Sequence, residues 1–600
     1  MISVDRVFPD DSGVVDVARP PYNARGDGIT DDTGAIQGAL DDNPDGRAII
    51  YLPRGIYRVS DTLRWPAGEP GHAQKNTILQ GQNKEYTVIK LIDSCEGFCD
   101  ADNPRAVIWT GKAPAQRFRN AVRNLTIDTG KGNYGAIGAQ FMTNNQGGMY
   151  HVTIRSGDGS GVIGLDMSYS DEIGPLLIKH VGIEGFNYGV KIKYSVDSMT
   201  FEHVALEGQR VCGIYNDGQC VSIRKLFSKN SVPVIINKPG TGMITLVDSE
   251  FSGGKGAGLH DAVINEASLF ARNVFVDAYR NSIVSRVEKP VAVSDTYIKE
   301  FVSHEIKTLF PTSEKSLNLT VKETPDIPWD QPDQWVSPTH FGAKPGDSED
   351  ISSAIQQAID SGKSTLYFPR GVYRIEKPLL IRGNIQRIIG CEAFLDVPSM
   401  DTPVFTLVDG TAPVVVFERF ESNFEPTIFL TNKSSRTLII RSCCNVTGHF
   451  AGGGEIFIED VCSNPVTFWK FAGCKVWARQ FNPEPVGTHV VNDGGSLWIL
   501  GFKTERGGVL LETKNGGATE ILGAFAYSTS KKEDAPAFVN NESSLSFTAG
   551  EACFGPRTPF CRVVEETRSG RPKVLKRDMV PSRCNGYMVS LYTGRSERDS

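Results

Sequence analysis

Two stretches late in the chain align without a gap. They are VWARQFNPE from Val476 and LWILGFKTE from Leu497, 21 residues apart. Each ends in a glutamate, Glu484 and Glu505. If the windows are successive strands of a parallel stack, equivalent side chains sit about 4.8 Å apart. Two carboxylates that close resist ionising together, so one pKa rises. The chemistry this allows is general acid catalysis, in which a carboxyl keeps a proton near neutral pH and passes it to a leaving oxygen. A glutamate just past a strand is, on its own, most often a solvated turn residue. The repeated offset singles this pair out. Trp477 and Trp498 recur at the same step and read as core rather than as exposed stacking platforms.

Such a stack must be built by the rest of the chain, and the chain states one opening twice. Tyr22 to Val59 reads YNARGDGITDDTGAIQGALDDNPDGRAIIYLPRGIYRV, and Phe341 to Ile375 reads FGAKPGDSEDISSAIQQAIDSGKSTLYFPRGVYRI. Both have a Gly/Asp turn, a short amphipathic stretch and a P-R-G-[IV]-Y-R strand. Self-similarity at half the chain length indicates a duplicated domain. Between the openings, short apolar strands ending in Gly, Asn or Asp start at Asn124, His151, His180, His203, Lys225, Ser249 and Asn273, at steps of 22 to 29 residues. In the second half EILGAFAYS, from Glu520, follows the two aligned windows. One such turn cannot bury its apolar face alone, whereas a stack buries a continuous core. Hairpin signals are too sparse for a sandwich. The predicted fold is all-β: two tandem right-handed parallel β-helices with short capping helices. The expected domains are residues 1–310, a linker at 311–334, and 335–600. The stretch from Lys307 to Pro338 holds five prolines and no strand of the repeating type.

Composition narrows the function classes. A net charge of -7 without a basic block argues against nucleic acid. No apolar run reaches the roughly 20 residues of a membrane span, and Met1 runs into polar sequence without a signal-peptide pattern. Of the twelve cysteines, Cys95/Cys99, Cys212/Cys220 and Cys553/Cys561 are spaced as local disulfides often are, with buried thiols the competing reading. None has zinc-ligand flanks, and no aspartates converge on matched offsets as calcium would require, so no metal and no cofactor are expected. Sequons begin at Asn124, Asn318, Asn432, Asn445 and Asn541. The Gly-rich stretches at Lys131 and Lys514 do not open a helix after a strand and are not phosphate loops.

The doubled D-G-x-x-D-D-[TS]-x-A-I-Q opening, the P-R-G-x-Y-R strand and the two-helix layout resemble the pectate-lyase-like β-helix superfamily. Within it they are most similar to glycoside hydrolase family 55, the β-1,3-glucanases. The resemblance implies an inverting, mostly exo-acting enzyme with its site in the cleft between the helices. It makes Glu505 the general acid and Glu484 its supporting carboxylate. Gln146, in NNQGGMY, and Ser168, in LDMSYSD, would hold the attacking water, with Ser170 a close rival for the serine. Gln146 and Ser168 are also about one turn apart in sequence, which would stack them on one face. A carboxyl separation near 5 Å ordinarily suggests a retaining enzyme, so Glu484 is assigned as tuner and proton relay rather than nucleophile. Asp166 and Asp171 are the candidate bases. The implied partner is a β-1,3-glucan of the laminarin type, met by a secreted or cell-surface monomer. The competing readings are a polysaccharide lyase on uronic-acid glycans and a non-catalytic glycan-binding β-helix.

Overall fold

The computed structural model describes residues 4–44, 46–66, 76–112, 117–346, 348–423, 429–463, 467–530 and 534–596. The chain divides into an N-terminal unit, residues up to 304 apart from 7–13, and a C-terminal unit, residues 7–13 and from 305 onward. Each is a β-solenoid in which successive turns add one long strand to one sheet and one short strand to another.

In the N-terminal unit the long strands include Gly148–Arg155, Leu176–Glu184, Ser198–Glu207, Cys220–Asn230, Met243–Gly253 and Ser268–Asp277. They pair in parallel and in register: Met149 with Ile178, Phe201 with Ile223, Ile244 with Leu269. Every one of these strands is bent at a single left-handed residue. Asn124, His151, His180, His203, Lys225, Asp248 and Asn273 have φ between 51° and 58°. The bend reverses the inward parity. In Ser198–Glu207, Met199 and Phe201 enter the interior before His203, and Val204 and Leu206 enter it after. One strand can therefore cover two walls of the solenoid. Side chains with a Cβ avoid this conformation, and Asn, Asp and His tolerate it best. Six of the seven bend residues are of those types, and all but Asp248, which directly precedes Ser249, are the residues at which the repeating motif begins in the sequence. The bends stack. The rings of His151, His180 and His203 lie 4.7 Å apart, centroid to centroid. A second ladder lines the short sheet, where Asn216 donates to Asn237 at 3.0 Å and Asn237 to Asn265 at 2.8 Å.

The C-terminal unit repeats the plan, with bends at Ser442, Asp460, Gln480, Gly501 and Gly523. Trp477 pairs with Trp498 and Phe481 with Phe502, so the 21-residue step is the register itself. The segment 311–334 runs over the outer face of this unit's long sheet. Asn318 N donates to Glu520 Oε1 at 2.8 Å, and Thr324 Oγ1 donates to Glu459 Oε1 at 2.5 Å. Trp477 donates its indole N–H to Thr320 O at 2.9 Å. Trp477 and Trp498 are buried. They lie beneath this segment rather than in the solenoid interior.

The duplicated opening does the same work twice. Asp31 accepts from Thr33 N and Asp350 from Ser352 N, each at 3.0 Å. The tyrosine of each P-R-G-x-Y-R strand bonds back to the proline, Tyr57 Oη to Pro53 O at 3.0 Å and Tyr373 Oη to Pro369 O at 2.9 Å. The helices that follow, α1 (Thr33–Asp41) and α2 (Ser352–Ile359), push Ile36 and Leu40, and Ile355 and Ile359, into the two cores. At the far ends, antiparallel strands cover the open edges. Tyr297–Val302 pairs with Ser268–Asp277, and Asn585–Gly594 with Ser544–Cys553. Edge coverage of this kind blocks strand addition.

The cysteine expectation is corrected. Cys95, Cys99, Cys212, Cys220, Cys553 and Cys561 are free, and the disulfide is Cys444–Cys462. Cys444 and Cys462 are register partners on adjacent turns with Cα atoms 4.8 Å apart. Proximity comes from stacking, not from closeness in sequence.

Candidate functional site

Glu505 ends the strand Ser496–Glu505, and Lys503 lies two residues before it. Past the bend at Gly501, alternate residues share a side. Phe502 points into the core, so Lys503 and Glu505 point out. Glu484 follows the neighbouring strand Lys475–Pro483 and is fixed by its amide, which donates to Ser463 O at 2.7 Å. The lysine occupies the space between the two acids. Lys503 Nζ donates to Glu484 Oε1 at 2.5 Å and to Glu505 Oε1 at 2.6 Å. The Lys503 side chain is 1% exposed, that of Glu484 4% and that of Glu505 30%.

The two carboxylates are neighbours as expected, but a lysine absent from the expectation lies between them. An ammonium screens them from each other. The pKa of Glu484 is raised first by burial; Lys503 opposes the rise, and the Glu505 charge adds to it. The accessible member is Glu505, and the buried member is a charge reservoir behind it. Lys503 escaped the sequence reading although its signal was present: it lies two before Glu505 on a strand, one turn above Glu484. Beyond Glu505 the ladder continues to Tyr527. The Tyr527 hydroxyl accepts from Arg557 Nη1 at 2.5 Å, and the Phe554 ring centroid lies 6.4 Å from that of Tyr527. Both rings and the guanidinium are at least partly exposed.

The other two expected residues belong to the N-terminal unit. Gln146 is buried in the corner before Gly148–Arg155, and its carbonyl accepts from Arg119 N at 2.9 Å. Ser168 follows the short strand Ile163–Met167 and is half-buried, its amide and hydroxyl donating to Asp166 Oδ1 at 2.9 and 2.6 Å. Ser170 is buried and gives its hydroxyl to Lys112 O at 3.3 Å. Asp171 is exposed. The two corners are tied by Asn144 Nδ2, which donates to Gly174 O at 3.1 Å. Gln146 and Ser168 are not stacked equivalents. Gly148 pairs with Leu177 and Gln140 with Asp166, so the steps here are 29 and 26 residues, not 22. The pair therefore sits on different sheets' corners.

Comparisons with known proteins bear on the superfamily. A family model for rhamnogalacturonase A/epimerase, pectate lyase-like proteins matches residues 20–260 and 335–391. The mannuronan C5-epimerase AlgE4 of Azotobacter vinelandii is 29% identical over 204 residues, 32% of this chain and 34% of that protein. A glucan 1,3-beta-glucosidase of Cochliobolus carbonum is 28% identical over 140 residues, 23% of this chain and 16% of that protein. The chain thus spans about a third or less of the length of these curated relatives. The solved structure of sacteLam55A from Streptomyces sp. SirexAA-E aligns over 96% of this chain and 100% of that chain, with 13% identity and a TM-score of 0.46.

Proposed function

Because the chain belongs to the pectate-lyase-like β-helix superfamily, we propose that it is a glycoside hydrolase of the family 55 kind, an inverting, exo-acting β-1,3-glucanase. The observation that carries this is the Glu484–Lys503–Glu505 cluster. It contains two negative charges and one positive. Lys503 bridges the two acids, and Glu505 is the carboxyl open to solvent and so the one placed to pass a proton to a substrate. Glu505 protonates the departing glycosidic oxygen, and the sugar leaves as water attacks from the opposite face. The ammonium then stabilises the carboxylate that forms, and solvent at the exposed edge returns the proton.

Oxygens that both touch one nitrogen lie within about 5 Å of each other, a separation typical of retaining enzymes. Glu484 is nonetheless no nucleophile, because it is buried and engaged with Lys503. This supports attack by water. Gln146 and Ser168 are the proposed water-holding residues, and the Asp166 carboxylate aims the Ser168 hydroxyl. A uronate lyase would need a cation free to neutralise the substrate carboxylate. Lys503 is buried and shared between two glutamates, which disfavours that reading. A polymeric substrate favours a location outside the cell, and the Cys444–Cys462 disulfide suits an oxidising compartment. The test is incubation with laminarin and a panel of glycans, following sugar release, product anomer and ultraviolet absorbance. Glucose released from laminarin as the α-anomer, without an absorbing unsaturated product, is the expected result. An unsaturated product overturns the hydrolase, and release of the β-anomer overturns inversion.

A further inference from the structure

One outward row of the N-terminal unit carries aromatic rings in the open. Past the bend, Phe227, Glu250 and Phe275 are register partners on three successive turns. Phe227 is 42% exposed and Phe275 54%. Their neighbours Leu226 and Val274 fill the core, so the alternation turns these rings to solvent. On the three turns before them the same row carries Thr153, Gly182 and Ala205. The rings therefore rise beside a low floor. Beyond Phe275 the row ends on exposed Tyr297, whose ring centroid is 5.8 Å away.

A polar edge runs alongside. The bend residues Lys225, Asp248 and Asn273, with Ser249, join the two phenylalanines and Glu250 around an open cleft of about 500 Å³. The edge is braced from behind. Asp248 accepts from Arg224 Nε at 3.1 Å and from Asn273 Nδ2 at 3.0 Å, and Asn273 Oδ1 accepts from Tyr297 Oη at 3.1 Å.

We propose that this shelf is a glycan-binding site, composed of none of the residues around Glu505, that holds two sugar rings of an uncharged β-glucan with one ring between them. The proposal rests on the reading of the chain as acting on β-1,3-glucan. A pyranose ring offers an apolar face of C–H groups and a rim of hydroxyls. Phe227 and Phe275, two turns or roughly 10 Å apart at about 4.8 Å per strand, each present a ring for one apolar face. Glu250 lies between them as an acceptor for hydroxyls, and the Asn273 amide and the Lys225 ammonium line the edge as further polar groups. The charges fit a neutral chain. Among the lining residues the Lys225 charge offsets that of Glu250, and Asp248 is matched by Arg224, so no net charge remains to attract a polyuronate. Exposed phenylalanines gain nothing from folding, since that gain comes from area removed from water. A row of them beside oriented polar groups marks a binding surface.

The test uses the full chain, a particulate β-1,3-glucan and a soluble β-1,3-linked trisaccharide. Phe227→Ala and Phe275→Ala should each weaken retention on the particulate glucan about tenfold, as loss of an anchor residue does. Hydrolysis of the trisaccharide and the melting temperature should stay at wild-type values, and Phe227→Tyr should retain binding. A wild-type chain that hydrolyses the trisaccharide but is not retained by the particle overturns the shelf and leaves the activity standing. Equal retention by both alanine variants does the same. Retention that the alanine changes abolish, in a chain that hydrolyses nothing, overturns the hydrolase reading and keeps the shelf.

Discussion

Two buried ion clusters in different units both pair a lysine with a glutamate but differ in charge count. In the N-terminal unit Glu202 lies between Lys179 at 2.9 Å and Arg224 at 2.7 Å, and Arg224 also meets Asp248 at 3.1 Å. That cluster has two charges of each sign. In the C-terminal unit one lysine lies between two glutamates, an excess of one negative charge. The chain of Arg387, Glu418, Arg441 and Glu459 in the same unit balances again. Balanced clusters lock neighbouring turns together and have no charge left over. The unbalanced one ends on Glu505, the most exposed carboxyl of the three clusters. The proposed acid thus belongs to the cluster with unequal charge.

The sharpest way to break this comparison is Glu505→Gln, which keeps the shape and removes the transferable proton. Laminarin hydrolysis should fall about 10²–10⁴-fold with an unchanged circular dichroism spectrum. Near-normal turnover would mean that another residue is the acid. Glu202→Gln should give the opposite phenotype. It takes the shared anion from Lys179 and leaves Arg224 with Asp248 alone, a loss of about 3–5 kcal/mol in urea unfolding, while turnover per folded molecule is unchanged. A stability within about 1 kcal/mol of wild type would deny the balanced cluster its structural role, since breaking a buried pair normally costs more.

Glu551 sharpens the comparison as a buried carboxyl held by neutral donors, the Ser528 hydroxyl and the Phe560 amide. Burial is the main cause that pushes its pKa up to about 7. A raised carboxyl lends stability that is full below its unfolded value, near 4.5, and is lost as pH rises through about 7. Glu551→Gln should therefore match wild type at pH 4 and exceed it by up to about 3 kcal/mol at pH 8. Equal unfolding midpoints at both pH values would refute this. The smallest effect is expected from Glu484→Gln. Removing this buried carboxyl beside the Lys503–Glu505 pair should move the basic limb of the pH–rate profile to lower pH. A loss of rate with an unmoved limb would assign Glu484 to structure alone.

The stacking was legible in the sequence because the device that bends each strand leaves a mark. Asn124, His151, His180, His203 and Asn273 start the repeating motif, and these residues hold the left-handed bend. The 21-residue match was legible because no loop interrupts the turn between Val476 and Leu497. Where turn length varies, sequence distance misleads. Gln146 and Ser168 look one turn apart, but the local steps are 29 and 26. Cys444 and Cys462 look unrelated until a step of 18 makes them partners. Lys503 was hidden for another reason. A strand lysine is usually solvated, and only the register shows that both of its neighbours are acids.

The closed ends of the two solenoids have a consequence for how such a protein can change. Each unit starts on a helix and finishes on an antiparallel strand, so neither terminus depends on the number of turns between them. A turn gained or lost in the middle leaves both closures intact and moves everything beyond it by one strand spacing, about 4.8 Å. The molecule is in this sense a ruler with fixed end-stops. The distance between two features on one unit is inherited in whole increments, and selection can lengthen a binding shelf by counting turns rather than by redesigning a core.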